Sequence, residues 1–152
     1  MKRRLPILAI LALVLGCAPA SSPASAPVLR VENIAVTPAA AHAECAAYLR
    51  IRNDGPAADR LVAASSPAAE RIDLYETRVD AAGGAHAYSI AGGVPIAGEG
   101  EVRFAPGGLH LKLIDLAAPL REGDRVPITL TFERTGAVQY EAIVTRAAPA
   151  GR

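Results

Sequence analysis

The chain is poor in sulfur, in aromatic rings and in charge of either sign. Methionine occurs once, as Met1, tryptophan is absent, and Phe and Tyr together supply 4% of 152 residues. A core must therefore be assembled from Val, Leu, Ile and Ala. Basic and acidic side chains number 16 and 15, so no net field exists to gather nucleic acid or an acidic partner. Enzyme signatures are missing as well: there is no Gly-x-Ser-x-Gly elbow, Walker loop, dinucleotide fingerprint or His-Glu-x-x-His. Ser65 and Ser66 run straight into Pro67, and the acidic residues are scattered rather than paired. These absences point away from an enzyme.

Cysteine is scarce, and its placement is informative. "MKRR" followed by "LPILAILALVLG" reads as the positive and apolar regions of an export signal. The apolar run is shorter than the roughly 20 residues of a comfortable membrane span. It ends on "VLGC", which resembles the bacterial lipoprotein box, with Cys17 acylated as the new N-terminus. Ordinary cleavage after "APA" (18–20) or "ASA" (24–26), or retention as an uncleaved anchor, are the competing readings. All of them place the domain in the cell envelope, outside the cytoplasm, and the first ties it to a membrane. With Cys17 acylated or removed, Cys45 is a free thiol without a disulfide partner. "APASSPASAP" (18–27) has the composition of a flexible tether, the domain is expected over 28–146, and 147–152 reads as a disordered tail.

From Val28 onward the apolar period is two. "CAAYLRIRN" sets Cys45, Ala47, Leu49 and Ile51 against Ala46, Tyr48, Arg50 and Arg52. "VPITLTFE" and "VQYEAIVT" alternate in the same way, and "VLRVENIAV", "RLVAAS", "RIDLYETRV", "HAYSI" and "EVRFA" are further strand candidates. "NDGPAAD", "DAAGGA", "AGGVPIAGEG", "APGG" and "REGD" punctuate them as turns. Eight or so short strands with such breaks predict one all-β antiparallel sandwich, its core including Leu49, Ile51, Leu111, Leu113, Ile128, Leu130 and Phe132. "PGGLHLKLIDL" puts His110 and Lys112 on the face opposite its leucines. Cys45 shares a strand face with Ala47, Leu49 and Ile51, which favours an inert core thiol over a Cys45/His42 dyad.

Three segments carry a family resemblance: "AAYLRIRNDGPAADRLV", "DRLVAASSPAAERIDLYETRVD" and "GGVPIAGEGEVRFAPGGLHLKLIDLAAPLREGDRVPITLTFERTGAVQYEAIV". Over about 28–145 the chain resembles the periplasmic copper chaperones of the PCu(A)C family, most specifically at "PGGLHLKL" and "PLREGDRVPITLTFE". The resemblance implies a cupredoxin-like β-sandwich that binds Cu(I) and passes it to a copper-accepting protein, notably in assembly of cytochrome c oxidase.

The family's ligand pattern, His-x-Met, Met, His-x-Met, falls on Tyr75 and Thr77, then Tyr88, then His110 and Lys112. The spacing is kept, with ten residues between Thr77 and Tyr88 and twenty-one between Tyr88 and His110. Only His110 keeps the expected donor. Cu(I) favours thioether, thiolate and imidazole, so the usual site is rewritten. Other donors are His86, two residues before Tyr88 and expected on the same rim, and His42 with Cys45. A set of His110 and His86 with His42 or Cys45 suits Cu(II) or Zn(II), or Cu(I) through the thiolate. Two functions compete: an envelope copper chaperone with an altered or weakened site, and a non-metal paralogue serving as a lipid-anchored binding or assembly module. A Cys45-dependent redox role is a third, and needs that thiol exposed.

The lipoprotein box has a direct test. Cys17→Ser should move the protein from the membrane to the soluble fraction or stall its processing. An unmodified mature N-terminus at Ser21 or Pro27, read by mass spectrometry, would contradict it.

Overall fold

The computed structural model describes residues 26–146. The signal segment 1–17 with its Cys17, most of the 18–27 tether and the 147–152 tail lie outside the described residues. Ten strands and no helix make up the described chain. They are β1 (Leu29–Val36), β2 (Cys45–Asn53), β3 (Asp59–Ser65), β4 (Ala69–Val79), β5 (Ala85–Ser89), β6 (Val94–Ile96), β7 (Glu101–Phe104), β8 (Leu109–Leu116), β9 (Arg125–Phe132) and β10 (Gly136–Val144).

The sheet runs β5-β4-β8-β2-β1-β10-β9-β3-β6 and closes on itself through a β3–β4 pair, Ala64 opposite Ile72. Strand β7 lies beside the second half of β2, whose first half pairs β8. All pairs are antiparallel except β1 with β10, which run parallel at Ala35–Ile143 and Val36–Val144. The all-β sandwich expected from the alternation is thus a closed one, with a single parallel seam. "AGGVPIAGEG", read as turn punctuation, holds the short strand β6. Its three residues lie between glycines, too few to show a period. Gly93 enters it with φ +73°, where a Cβ would meet the Leu61 carbonyl oxygen at 2.5 Å, so only glycine fits there.

Alternation and closure together define the core. Leu49, Ile51, Leu111, Leu113, Ile128, Leu130 and Phe132 are all buried, as the period-two reading expected. With few rings available, the interior is filled by aliphatic side chains from every strand of the closed circuit. Strand β1 breaks its period at Asn33, whose left-handed φ of 54° accompanies an extra residue in its register against β2. Such a bulge bends the strand, and asparagine tolerates the conformation better than most residues.

Two buried polar side chains tie the loops at one end. Asn53 donates from Nδ2 to the carbonyls of Ala57 (2.7 Å) and Ala97 (3.1 Å), and its Oδ1 accepts from the amides of Val28 and Gly55. Asp59 accepts from the Thr135 hydroxyl (2.6 Å) and from the amides of Arg60, Arg134 and Thr135. It thereby fastens β3 to the β9–β10 turn. Burial pulls the Asp59 carboxyl pKa upward, but the Thr135 hydroxyl and the three amides outweigh it and hold the pKa below the usual range.

A carboxylate with a lowered folded pKa stabilises the protein above its unfolded value, about 4, and loses that contribution as pH falls through the folded value. Asp59→Asn should therefore cost about 2–4 kcal/mol at pH 7, because its amide turns a donor toward backbone donors. Urea unfolding of both proteins down to about pH 3 should show that gap shrinking.

Candidate functional site

The long β4–β8 ladder builds one rim of the molecule. It pairs Asp73 with Lys112 and Tyr75 with His110, while Ile72 and Leu74 meet Leu113 and Leu111 on the core side. Directly paired residues share a face. Asp73, Tyr75, His110 and Lys112 therefore form one outward cluster, and Thr77 continues the row of Tyr75. The Tyr75 and His110 rings stack with centroids 5.9 Å apart and planes 22° from parallel.

The ring nitrogens of His110 have separate roles. Nδ1 lies 3.1 Å from the Gly108 carbonyl. A carbonyl only accepts, so this nitrogen carries the proton, and in the neutral ring Nε2 has the lone pair. A backbone carbonyl that orients an imidazole in this way is a common support for metal-binding histidines. Beside it, Lys112 Nζ sits 2.5 Å from Glu44 Oε2 and 5.3 Å from the Tyr75 ring centroid. The Glu44 hydrogen bond is the main cause that raises the Lys112 pKa above its ordinary value, with Tyr75 and Asp73 adding to it against a desolvation that lowers it. Lys112 thus stays an ammonium at neutral pH, with no lone pair to offer. Thr37, Glu44, Cys45, Ala46, His110 and Lys112 line a shallow depression of about 300 Å³.

Of the other sequence candidates only Cys45 borders this depression, and Tyr88, His86 and His42 lie away from it. On β5, Tyr88 pairs with Glu76 and His86 with Arg78. Both therefore lie on the opposite face of the β4–β5 arm from Tyr75 and Thr77. The expectation that Tyr88 and His86 share a rim with His110 is corrected by register: parity within β5 joins these two to each other, but its pairing with β4 sends them to the far side. His86 Nε2 lies 3.1 Å from Asp80 in the adjoining turn, and Arg78 covers the Tyr88 ring at 5.8 Å. His42 pairs with Asp115 at 2.9 Å, and both take left-handed φ values, 59° and 53°. Each histidine thus has its own acceptor. Among the described residues no three His, Cys, Asp or Glu side chains are grouped to hold a metal ion.

Cys45 is buried on the core side of β2, opposite Leu113. Burial pushes its thiol pKa up to about 11, which removes the thiolate needed for redox exchange or ready metal capture. The exposed thiol that a redox role requires is not there. The ion pair of Glu44 with Lys112 escaped sequence reading, because no pattern links a loop carboxylate to a lysine 68 positions away.

Comparison with known proteins agrees with this architecture. The family described as "Putative lipoprotein LpqE-like" matches residues 29–144. "Putative lipoprotein Lxx21020" of Leifsonia xyli subsp. xyli is 33% identical over 137 residues, covering 86% of this chain and 81% of that protein. The apo PCuAC domain from PmoF1 shares the fold with a TM-score of 0.66 at 24% identity, over 78% of this chain and 94% of that domain. The solution structure of Cu(I)-DR1885 from Deinococcus radiodurans gives 0.60 at 25% identity, over 89% and 87% of the two chains.

The state of Cys45 can be checked chemically. Alkylation by iodoacetamide at pH 8 should be at least about 100-fold slower in the native protein than in denaturant. Fast native labelling would restore the thiol to the list of working groups.

Proposed function

Because the chain belongs to the LpqE-like family and has the fold of PCu(A)C domains, we propose that it is a copper-handling protein of the cell envelope with a weakened site. The observation that carries this reading is His110: its Nδ1–H is held by Gly108 and its Nε2 is left for a metal, on a fold shared with a protein solved with Cu(I). The cargo would meet one imidazole here, beside a phenol and a fixed ammonium. That donor set fits a soft monovalent ion poorly and favours weak holding, of Cu(II) as readily as Cu(I). Lipid attachment at Cys17, the 18–27 tether and a copper-accepting partner, such as one in oxidase assembly, complete the proposal. The protein is a carrier or holder in this reading, not an enzyme.

The Lys112–Glu44 ion pair favours a second reading. A positive charge already fills the rim beside His110, as suits a non-metal module that retains the scaffold for binding or assembly.

Metal titration separates the two. Under the copper reading, binding is weak for Cu(I) and Cu(II) and is lost in His110→Ala. Lys112→Met, which removes the ammonium and supplies a thioether, should tighten Cu(I) by about tenfold or more. Absence of binding in the parent protein would favour the non-metal module. Tight Cu(I) binding that survives His110→Ala would place the site elsewhere.

A further inference from the structure

Three strands leave an edge outside the closed circuit, and they are guarded unequally. Strand β6 has three residues with Pro95 in the middle, and β7 carries Glu101 and Arg103. Short length, proline and charge are the usual devices that stop sheet edges from pairing with other chains. Strand β5, "AHAYS", is the longest of the three and has neither proline nor an Asp, Glu, Lys or Arg side chain. All five of its residues are exposed, and among the described residues it pairs only with β4.

The hydrogen-bond parity of β5 is fixed by its ends. Ile90 N donates to Leu74 O, and Asp80 N donates to Gly84 O. In an antiparallel ladder these bonded pairs recur at every second residue, so the backbone groups of His86 and Tyr88 turn to β4. Those of Ala85, Ala87 and Ser89 turn outward. From this edge we infer that β5 pairs with β5 of a second copy, antiparallel and centred on Ala87.

That register is self-complementary at each position. Ala87 meets Ala87, and Ala85 meets Ser89, as bonded pairs that satisfy the outward amides and carbonyls of both copies. His86 then faces Tyr88 of the other copy as a non-bonded pair, the kind whose side chains approach more closely. The same ring pairing already exists across β4 and β8, as Tyr75 on His110. Tyr88, 51% exposed in one copy, would gain cover. No lysine, aspartate or glutamate lies on β5, so like charges are not brought together. Ala85, Ala87 and Ser89 share the outer face of Tyr75 and Thr77. The two His110 rims would therefore open on one continuous face, separated by five strand spacings (about 24 Å) across the sheet and by four residues (about 13 Å) along it. Five residues bury little surface, so the contact is weak in dilute solution. Anchoring in a membrane, which rests on the lipoprotein reading above, would raise its occupancy.

Disulfide trapping tests the register independently of affinity and of the copper reading. Full-length variants in isolated membranes and in detergent are treated with diamide, which adds no copper. Bonded cross-strand Cα atoms lie about 5.5 Å apart, within disulfide reach. Ala87→Cys should therefore give a symmetric dimer. Ala85→Cys and Ser89→Cys should cross-link when mixed and hardly at all alone, and adding Ala87→Pro to both should abolish that. Val79→Cys, at a site 68% exposed on the same face, is the collision control, and the parent protein controls for Cys17. Dimer from Ala87→Cys no greater than from Val79→Cys, or equal yields from Ala85→Cys alone and mixed, would overturn the inference. Failure of the lipid anchor alone would lower the yield in membranes to that in detergent and leave the register pattern intact.

Discussion

The register of β4 against β8 is the constraint on which the rest of the molecule turns. One ladder, from Ala69–Leu116 to Glu76–Leu109, sets which side chains enter the interior and which form the rim. Ile72, Leu74, Leu111 and Leu113 go inward and Tyr75, His110 and Lys112 go outward. A slip by one residue would exchange those sets, burying a lysine and exposing leucines. Burial of four aliphatic side chains, each contributing about 1.5–3 kcal/mol, therefore positions the polar cluster that faces solvent. The same strand β4 continues past the barrel as an arm and carries β5.

The cluster itself is held by weak forces of ordinary kinds. Ring stacking, a cation above an aromatic face and a half-exposed ion pair each contribute on the order of 1 kcal/mol. They are small beside the burial of the aliphatic interior, which the Asn53 and Asp59 loop ties complete. The rim is thus free to change chemistry while the scaffold stays. A rim with thioethers in place of Thr77 and Lys112 would suit a soft ion, and the present one carries its own cation instead. That independence explains how the chain can share a fold with copper-bound domains while offering a single free imidazole nitrogen at the rim.

Electrostatic neutrality is achieved locally. Lys112 is answered by Glu44, His42 by Asp115, His86 by Asp80 and Arg78 by Glu76. Two of these pairs join the loop before β2 to β8, and the other two lie within the β4–β5 arm.

The amino-acid sequence by itself determined the strands other than β6 and the inward faces of β2, β8 and β9, and its family resemblance pointed to His110. Those features follow from a local period of two, which any half-buried strand must show, and from motif spacing. Only the tertiary structure decided that His86 and Tyr88 lie across the sheet from His110, that Cys45 is sealed in the core, and that Glu44 holds Lys112. The reason is physical. Parity relates residues within one strand, while the relation between strands depends on register, and register is settled by packing of the whole barrel at once. The short β6 was hidden for the same cause, since three residues carry no period and gain their strand form from pairing with β3.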